Sequence, residues 1–165
     1  MKKSIWIAAF FMCLSCVGCA KEEDEWTGEL VESADEIEEK LDIKMGMVED
    51  VVDASDFQYS IIADEIGQVR FIYDGDEIFF RASKTKTLEE MGAVVDQNGS
   101  FMATTIDWDI EEETYTSVGF MDLADGGSVV EWSGSGIHFV IILPFDTSVP
   151  KKSWFAQKIA YNSYQ

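Results

Sequence analysis

The chain has 165 residues, of which 47% are hydrophobic and 13% aromatic, and its 32 acidic against 12 basic side chains give a formal net charge of -20. The length fits a single domain, and the apolar fraction is sufficient for a packed core, which excludes a fully disordered chain. A chain this acidic repels phosphate backbones and anionic headgroups, so its charge argues against nucleic-acid binding and direct attraction to a lipid surface.

The N-terminus has the features of a bacterial lipoprotein signal. Two lysines precede an apolar run, Ile5–Leu14, that is long enough for a secretory signal and too short to span a bilayer. The next residues, Ser15–Cys19, resemble a lipobox, in which small residues precede a cysteine that is acylated, with palmitate for example, and becomes the new N-terminus. We predict removal of residues 1–18 and lipidation of Cys19; Cys16 is the alternative site.

The positions of the three cysteines bear on where the protein is located in the cell and on how its chain is organised. All three cysteines lie in this leader, so the folded part has no disulfide, thiol nucleophile or cysteine metal site. Acyl chains can hold a protein at a membrane without a basic patch. We therefore expect a lipid-anchored protein on the extracytoplasmic face of the cell membrane, with an acidic tether over 19–32 and one domain over 33–165.

The domain is predicted to begin with a short helix. Ser33 and Glu36 have the spacing of a capping box, in which each side chain binds a backbone N–H near the helix start. Ile37 and Leu41, four residues apart, share one helix face. The helix is expected over about 34–42.

Alternation of apolar and polar residues then predicts strands at about 57–63, 69–73, 77–82, 102–111, 115–123, 128–132 and 137–143. Asp74-Gly75 is a two-residue hairpin signal, and further glycine-containing turns occur at 125–127 and 133–136. The last strand, Ile137–Leu143, is apolar on both faces apart from His138, which predicts a position in the sheet centre.

A second helix is expected after this strand. Ser148 is suited to the N-cap and Pro150 to the first turn. Trp154, Phe155, Ile159 and Tyr161 would give this helix an apolar face covering the central strand. The predicted fold class is α+β: a mostly antiparallel sheet of six to seven strands, a short N-terminal helix and a C-terminal helix packed on the sheet.

Three short sequence segments, taken in their order along the chain, form the basis of a family resemblance. They are Phe57–Ile62, the hairpin Tyr73–Glu77 followed by Phe79–Ala82, and Glu131-Trp132 before a turn and an alternating strand. From Ser33 to about Tyr161 the chain resembles a domain family of unknown function found in secreted lipoproteins of Gram-positive gut bacteria. The resemblance implies a fold and no activity. Members often carry Asp-Ile-Ser-Gly after the third strand, where this chain has Thr87–Gly92.

No catalytic set is evident. His138 is the only histidine, which argues against a histidine zinc site, and Ser135 is placed to point away from it. Ser148 and Lys151 match Ser-x-x-Lys, but the partner motifs of penicillin-recognising enzymes are absent. Phosphate-loop and dinucleotide motifs are absent too. We expect a non-enzymatic protein without a cofactor.

The only arginines are candidate ligand contacts. Arg70 and Arg81 lie on adjacent strands of one predicted hairpin. A guanidinium pair could recognise a carboxylate or phosphate group. The alternative is cross-strand pairing with acidic residues.

Acidic residues recur at every second position in the fourth predicted strand. Asp107, Asp109 and Glu111 would share one face, which favours a solvated face that discourages edge-to-edge pairing. They are also weak candidates for Ca²⁺, which needs several oxygen ligands. Carboxylates two residues apart on a straight strand are about 6.5–7 Å apart, so we expect no metal site.

These features predict a lipid-anchored extracytoplasmic binding or interaction module that is not an enzyme and whose ligand is a protein, peptide or lipid. The alternative is a lipid-handling or envelope-sensing protein with an apolar cavity between sheet and helix. Eleven phenylalanines and five tryptophans make such a cavity conceivable. A tightly packed sheet with a polar face favours the first function, and an apolar tunnel favours the second.

Overall fold

The architecture is one antiparallel sheet with most of its covering on one face. The computed structural model describes residues 28–46, 48–49, 54–109, 114–143 and 158–159, and of residues 104–109 and 114–116 it describes the backbone alone. In chain order the described elements are β1 (Glu29–Val31), α1 (Ala34–Leu41), β2 (Ser55–Ile62), β3 (Ile66–Tyr73), β4 (Asp76–Ser83), a 3₁₀ turn (Glu89–Met91), β5 (Phe101–Asp109), β6 (Thr114–Asp122), β7 (Ser128–Gly134) and β8 (Ile137–Leu143).

The sheet consists of two four-stranded meanders joined in the middle. The strand order is β1-β2-β3-β4-β8-β7-β6-β5, with every neighbouring pair antiparallel. β4 and β8, the last strand of each meander, pair through Phe80↔Ile141 and Ala82↔Phe139. β8 therefore lies in the sheet centre, as its continuous apolar sequence predicts.

Helix α1 begins and ends as its sequence dictates. The Ser33 hydroxyl accepts a hydrogen bond from the Glu36 N–H at 3.4 Å, and the Glu36 carboxylate accepts one from the Glu32 N–H at 2.9 Å. Asp42 ends the helix in the left-handed conformation. The predicted short helix is confirmed, and no helix in the described part of the chain is long and apolar enough to cross a membrane.

The hairpin at Asp74-Gly75 is confirmed. Both residues have positive φ, 54° and 85°, and Tyr73 pairs with Asp76 across the turn. These are the backbone angles of a type I′ turn, whose twist matches that of the flanking strands. Ser135 and Gly136 form the same kind of turn between β7 and β8, with φ of 53° and 77°.

The first face of the sheet carries the larger core. Ile37 of α1 and the following Ile43, Met45 and Val48 are fully buried against aromatic rings from the central strands. Phe80, Trp132 and Phe139 form a stack with centroid separations of 5.3–6.1 Å. The second face has a smaller core, covered by the 3₁₀ turn and its flanks, that contains Ile62, Ile66, Met91, Ala93, Met121, Leu123, Val129, Val140 and Ile142.

The predicted fold class is wrong in two respects. The described sheet has eight strands instead of six to seven, because Glu29–Val31, inside the stretch predicted as a tether, pairs with β2 through Leu30↔Ser60. The described residues contain one α-helix, so the fold is mostly an antiparallel sheet.

The expected C-terminal helix is the second correction. Of its stretch, only Lys158 and Ile159 are among the described residues, and Trp154 and Phe155 lie outside them. Ile159 is fully buried in the core of the first face. Among the described residues, α1 together with Ile43, Met45 and Val48 packs on the same core.

Candidate functional site

An open trough crosses the second face of the sheet over β5, β6 and β7. It encloses about 400 Å³ and is lined by Phe101, Ala103, Ser117, Gly119, Glu131, Trp132 and Ser133. The strands place these residues in one patch although they are up to 32 positions apart in sequence. We refer to this patch as the trough.

The floor of the trough is made of small residues. Ala103 of β5 pairs with Gly119 of β6, and Gly119 pairs with Glu131 of β7, so the three residues form one row across the sheet. A Cβ atom at Gly119 would lie 2.8 Å from Glu131 Oε1 and 2.9 Å from its Cγ. The Glu131 side chain therefore lies over the bare backbone of Gly119 and points towards the β5 edge.

Glu131 is a half-buried carboxylate and the one charged residue of β7. Its neighbours Val130 and Trp132 belong to the core of the first face, although Trp132 also lines the trough, and Val129 lies in the core of the second face. Burial raises the pKa of the Glu131 carboxyl above its ordinary value, and the nearby His138 acts in the opposite direction. The trough therefore contains a carboxyl group whose ionised form is disfavoured by its burial.

A polar pair lies beside Glu131. Ser133 of β7 is opposite His138 of β8, and the Ser133 Oγ and His138 Nδ1 are 2.9 Å apart. Both residues are exposed. Within the described residues no hydrogen bond joins Glu131 to His138, so the imidazole is not oriented by the carboxylate as the base of a catalytic triad would be.

Phe101 forms the wall at the sheet edge. Its side chain is 66% exposed although it pairs with Met121, which is in the second core. β5 pairs with β6, and no other described strand pairs with its outer edge. In the described part of the chain, the β5 side of the trough is therefore bounded by an exposed aromatic ring and not by another strand.

Arg81 lies outside the trough, in a buried network of hydrogen bonds. It is 3% exposed, and its Nε donates to Gln68 Oε1 at 2.7 Å while Nη1 donates to the Met91 carbonyl at 2.6 Å. Gln68 in turn donates to Ser60 Oγ at 3.0 Å. Arg81 thus ties the 3₁₀ turn to β3 and β4, which leaves its guanidinium little access to a ligand.

Arg70 lies on the same face of the same hairpin. The pairings Arg70↔Phe79 and Gln68↔Arg81 place the two arginines as diagonal neighbours. Arg70 forms an ion pair with Glu77, as expected for pairing with acidic residues across the hairpin. Neither arginine lines the trough.

The weak metal candidates remain a prediction. Asp107 pairs with Tyr115 and Asp109 with Thr114, and the register shifts between them, so β5 is not regular there. The side chains of both residues, and all of Glu111, lie outside the described structure. In the part that is described, no group of three His, Cys, Asp or Glu residues could hold a metal ion.

The remaining predicted residues divide into two sets. Ser135 lies in the β7–β8 turn, while the neighbouring Ser133 is the serine that contacts His138. Cys16, Cys19, Ser148 and Lys151 lie outside the described residues.

Sequence reasoning missed Gly119 and Glu131. A signal did exist for Glu131, since it is the single charge within Val129–Trp132 and such a position predicts a half-buried carboxylate. The contact between that carboxylate and Gly119 could not be predicted from sequence. Period-two alternation identifies the residues on one face of a strand, but it does not identify which strands are adjacent.

Comparisons with known proteins give no relative from which a function could be transferred. No family model, no curated protein and no solved structure matches the chain. The resemblance to lipoprotein domains of Gram-positive bacteria stays a prediction, and the trough is characterised by its own geometry.

Proposed function

We propose that this protein is a lipid-anchored, extracytoplasmic binding module without catalytic activity and that the trough is its ligand site. The observation that carries the proposal is the open trough of about 400 Å³, with a half-buried carboxylate above its floor of small residues and an exposed phenylalanine at its edge. Ligand sites are typically concave and combine an apolar lining with a few polar groups that fix orientation.

The packing between helix and sheet favours this function over lipid handling. A Cβ atom at Gly67 would lie 2.6 Å from Met45 Sδ and 2.7 Å from Ile37 Cγ2. Where it is described, this contact has no room for one methyl group, so an acyl chain could not enter there without separating α1 from the sheet. Among the described residues, the second face by contrast carries the trough at β5–β7.

The polar pair in the site supports binding more than catalysis. Ser133 lies on a regular strand and contacts His138 through Nδ1. A serine nucleophile requires an oriented base and donors for the oxyanion, and Glu131 does not hold the imidazole by a hydrogen bond within the described residues. Serine, histidine and glutamate side chains here are suited to hydrogen bonding with a ligand.

The proposed location rests on the leader sequence. Lipidation of Cys19, with Cys16 as the alternative, would place the domain outside the membrane on a short tether that ends where β1 begins at Glu29. The net charge of -20 would keep the domain away from anionic lipid. The trough would then be accessible to ligands of the cell envelope.

Native mass spectrometry of the full-length protein, purified in detergent from a Gram-positive host, tests this function. We expect a co-purified non-lipid mass in the wild type that is lost in Gly119→Ala, where the added methyl group moves Glu131. Gly46→Ala is the matched control, because its Cβ would lie at an ordinary 3.6 Å from Ala34. A bound acyl lipid that persists in Gly119→Ala would overturn the proposal in favour of lipid handling.

A further inference from the structure

We propose that the trough recognises a basic side chain, an ammonium or guanidinium group on an aliphatic stem, presented by a peptide partner, with Glu131 as its counter-ion. This inference rests on the proposed function and names the ligand class of the same site. It follows from three features of the trough: an ionisable group without an ion pair among the described residues, a shape suited to a narrow stem, and charge complementarity.

The first feature is the carboxylate itself. Glu131 takes part in none of the ion pairs formed among the described residues, which instead join Lys40, Arg70, Lys84 and Lys86 to other acids. Among the described residues, His138 is the cationic group whose charge acts on Glu131. A cation entering the trough would supply the ionic partner that this half-buried carboxylate lacks among the described residues.

The second feature is the path that leads to Glu131. A ligand arriving from the open β5 edge passes Phe101, crosses Ala103 and meets the carboxylate above Gly119. The small floor residues accommodate a narrow methylene stem, and the exposed ring of Phe101 can cover that stem or approach the cation. Neighbouring strands are about 4.8 Å apart, so the four-carbon stem of a lysine beside β5 can span the distance to β6.

The third feature is charge. A net charge of -20 attracts cationic ligands and repels anionic ones. Of the two arginines that could have selected an anion, Arg81 is buried in a hydrogen-bonded network and Arg70 is paired with Glu77. Neither lines the trough, so the trough itself offers a carboxylate and hydroxyl groups to a ligand.

The test is an NMR titration of the ¹⁵N-labelled full-length protein in detergent micelles at physiological salt. The probe is the capped tripeptide Ala-Lys-Ala, and the control probe is the same peptide with norleucine, which has a similar stem and no charge. We expect saturable shifts at residues 101–103, 117–119 and 131–133 with the lysine peptide alone. Shifts spread over the acidic surface without saturation would reflect non-specific attraction and overturn the proposal.

Two glutamine variants separate the specific carboxylate from overall charge. Glu131→Gln should lower the affinity for the lysine peptide by at least about tenfold, because the charge-assisted contact is lost while the side-chain shape is kept. Glu39→Gln, on the exposed side of α1, removes the same charge from the other face and should leave the affinity within twofold. Equal effects of the two variants would overturn the assignment.

The outcomes also distinguish this inference from the proposed function. One outcome is that neither the Ala-Lys-Ala peptide nor its arginine counterpart binds, while the co-purified non-lipid mass still disappears in Gly119→Ala. The trough is then a ligand site, and the proposed ligand class is wrong. If Gly119→Ala leaves both that mass and the peptide titration unchanged, the trough is not the site and both proposals fail.

Discussion

The Glu131 carboxylate lies over Gly119 on the neighbouring strand, close enough that a Cβ atom at position 119 would be 2.8 Å from Glu131 Oε1. Glycine inside a strand weakens the strand, and it often marks a place where another group approaches the backbone closely. Here that group is a carboxylate lying across the strand. The contact connects the one glycine of β6 to the one acidic residue of β7 and gives the trough its shape.

Alanine substitutions at two strand glycines should have different costs. Gly119→Ala should change the free energy of unfolding by less than about 1 kcal/mol, because the flexible end of Glu131 can move into solvent. Gly67→Ala should cost about 1–3 kcal/mol, because its Cβ would meet Ile37 and Met45 in a filled core. Urea unfolding of both variants measures the difference, and equal costs would contradict this packing.

The hairpin turn provides a purely conformational test. Gly75 has φ of 85°, and a Cβ atom there would have no neighbour within 4 Å. Gly75→Val should therefore destabilise by roughly 1–2 kcal/mol through backbone strain alone, whereas Gly75→Asn, which tolerates the left-handed region, should cost only a few tenths. Thermal unfolding compares them; a valine variant as stable as the asparagine variant would argue against the turn.

Local signals in the sequence specified the parts of the fold that depend on neighbours along the chain. The Ser33 cap, the Asp74-Gly75 turn and the doubly apolar β8 were predicted because each is encoded within a few residues. β1 was missed because Glu29–Val31 lies within an acidic stretch and its strand conformation comes from pairing with β2, about 30 residues away. The predicted C-terminal helix does not fit the described fold, which has one α-helix and describes only Lys158 and Ile159 of that stretch. An apolar periodicity alone does not identify how a segment covers a sheet.

The candidate site was less accessible to prediction than the fold. Arg70 and Arg81 stood out because they are the only arginines, but rarity does not reveal that one is buried and the other paired. Glu131 and Gly119 become a site only when β6 and β7 are adjacent. That adjacency is a property of the tertiary structure, which short-range patterns do not contain.

The two arginines should differ in their contribution to stability. Arg81→Met should destabilise by roughly 2–4 kcal/mol, because it leaves the buried Gln68 amide oxygen and the Met91 carbonyl without their donors. Arg70→Met should cost less than about 1 kcal/mol, since its ion pair with Glu77 is partly exposed. Urea denaturation checks the ranking, and an Arg81→Met variant as stable as wild type would show that the buried network is dispensable.

Lipidation is tested by metabolic labelling with a fatty-acid probe. We expect label on the wild type and none on Cys19→Ala, because the residues before Cys19 match a lipobox. Cys13→Ala, which changes a cysteine inside the apolar run, is the matched control and should keep its label. Label that survives in Cys19→Ala and disappears in Cys16→Ala would move the site to the alternative cysteine.

The ionisation of Glu131 connects the trough to pH. Burial raises the pKa of this carboxyl in the folded protein, so the native state binds a proton more readily than the unfolded chain does. The protonated Glu131 carboxyl therefore makes its full contribution to the free energy of unfolding at low pH, below the pKa of the unfolded state. That contribution is lost as the pH rises through the folded-state pKa. A cation bound beside the ionised form should lower that pKa by linkage, while protonated His138 acts in the same direction.

A ¹³C NMR titration of the Glu131 side-chain carboxyl, with and without the Ala-Lys-Ala peptide, tests the central claim most directly. We expect a pKa above the ordinary glutamate value in the free protein and a lower one with saturating peptide, while the norleucine peptide leaves it unchanged. An ordinary pKa in the free protein that neither peptide alters would contradict the account, because the trough would then hold no carboxylate in need of a cation.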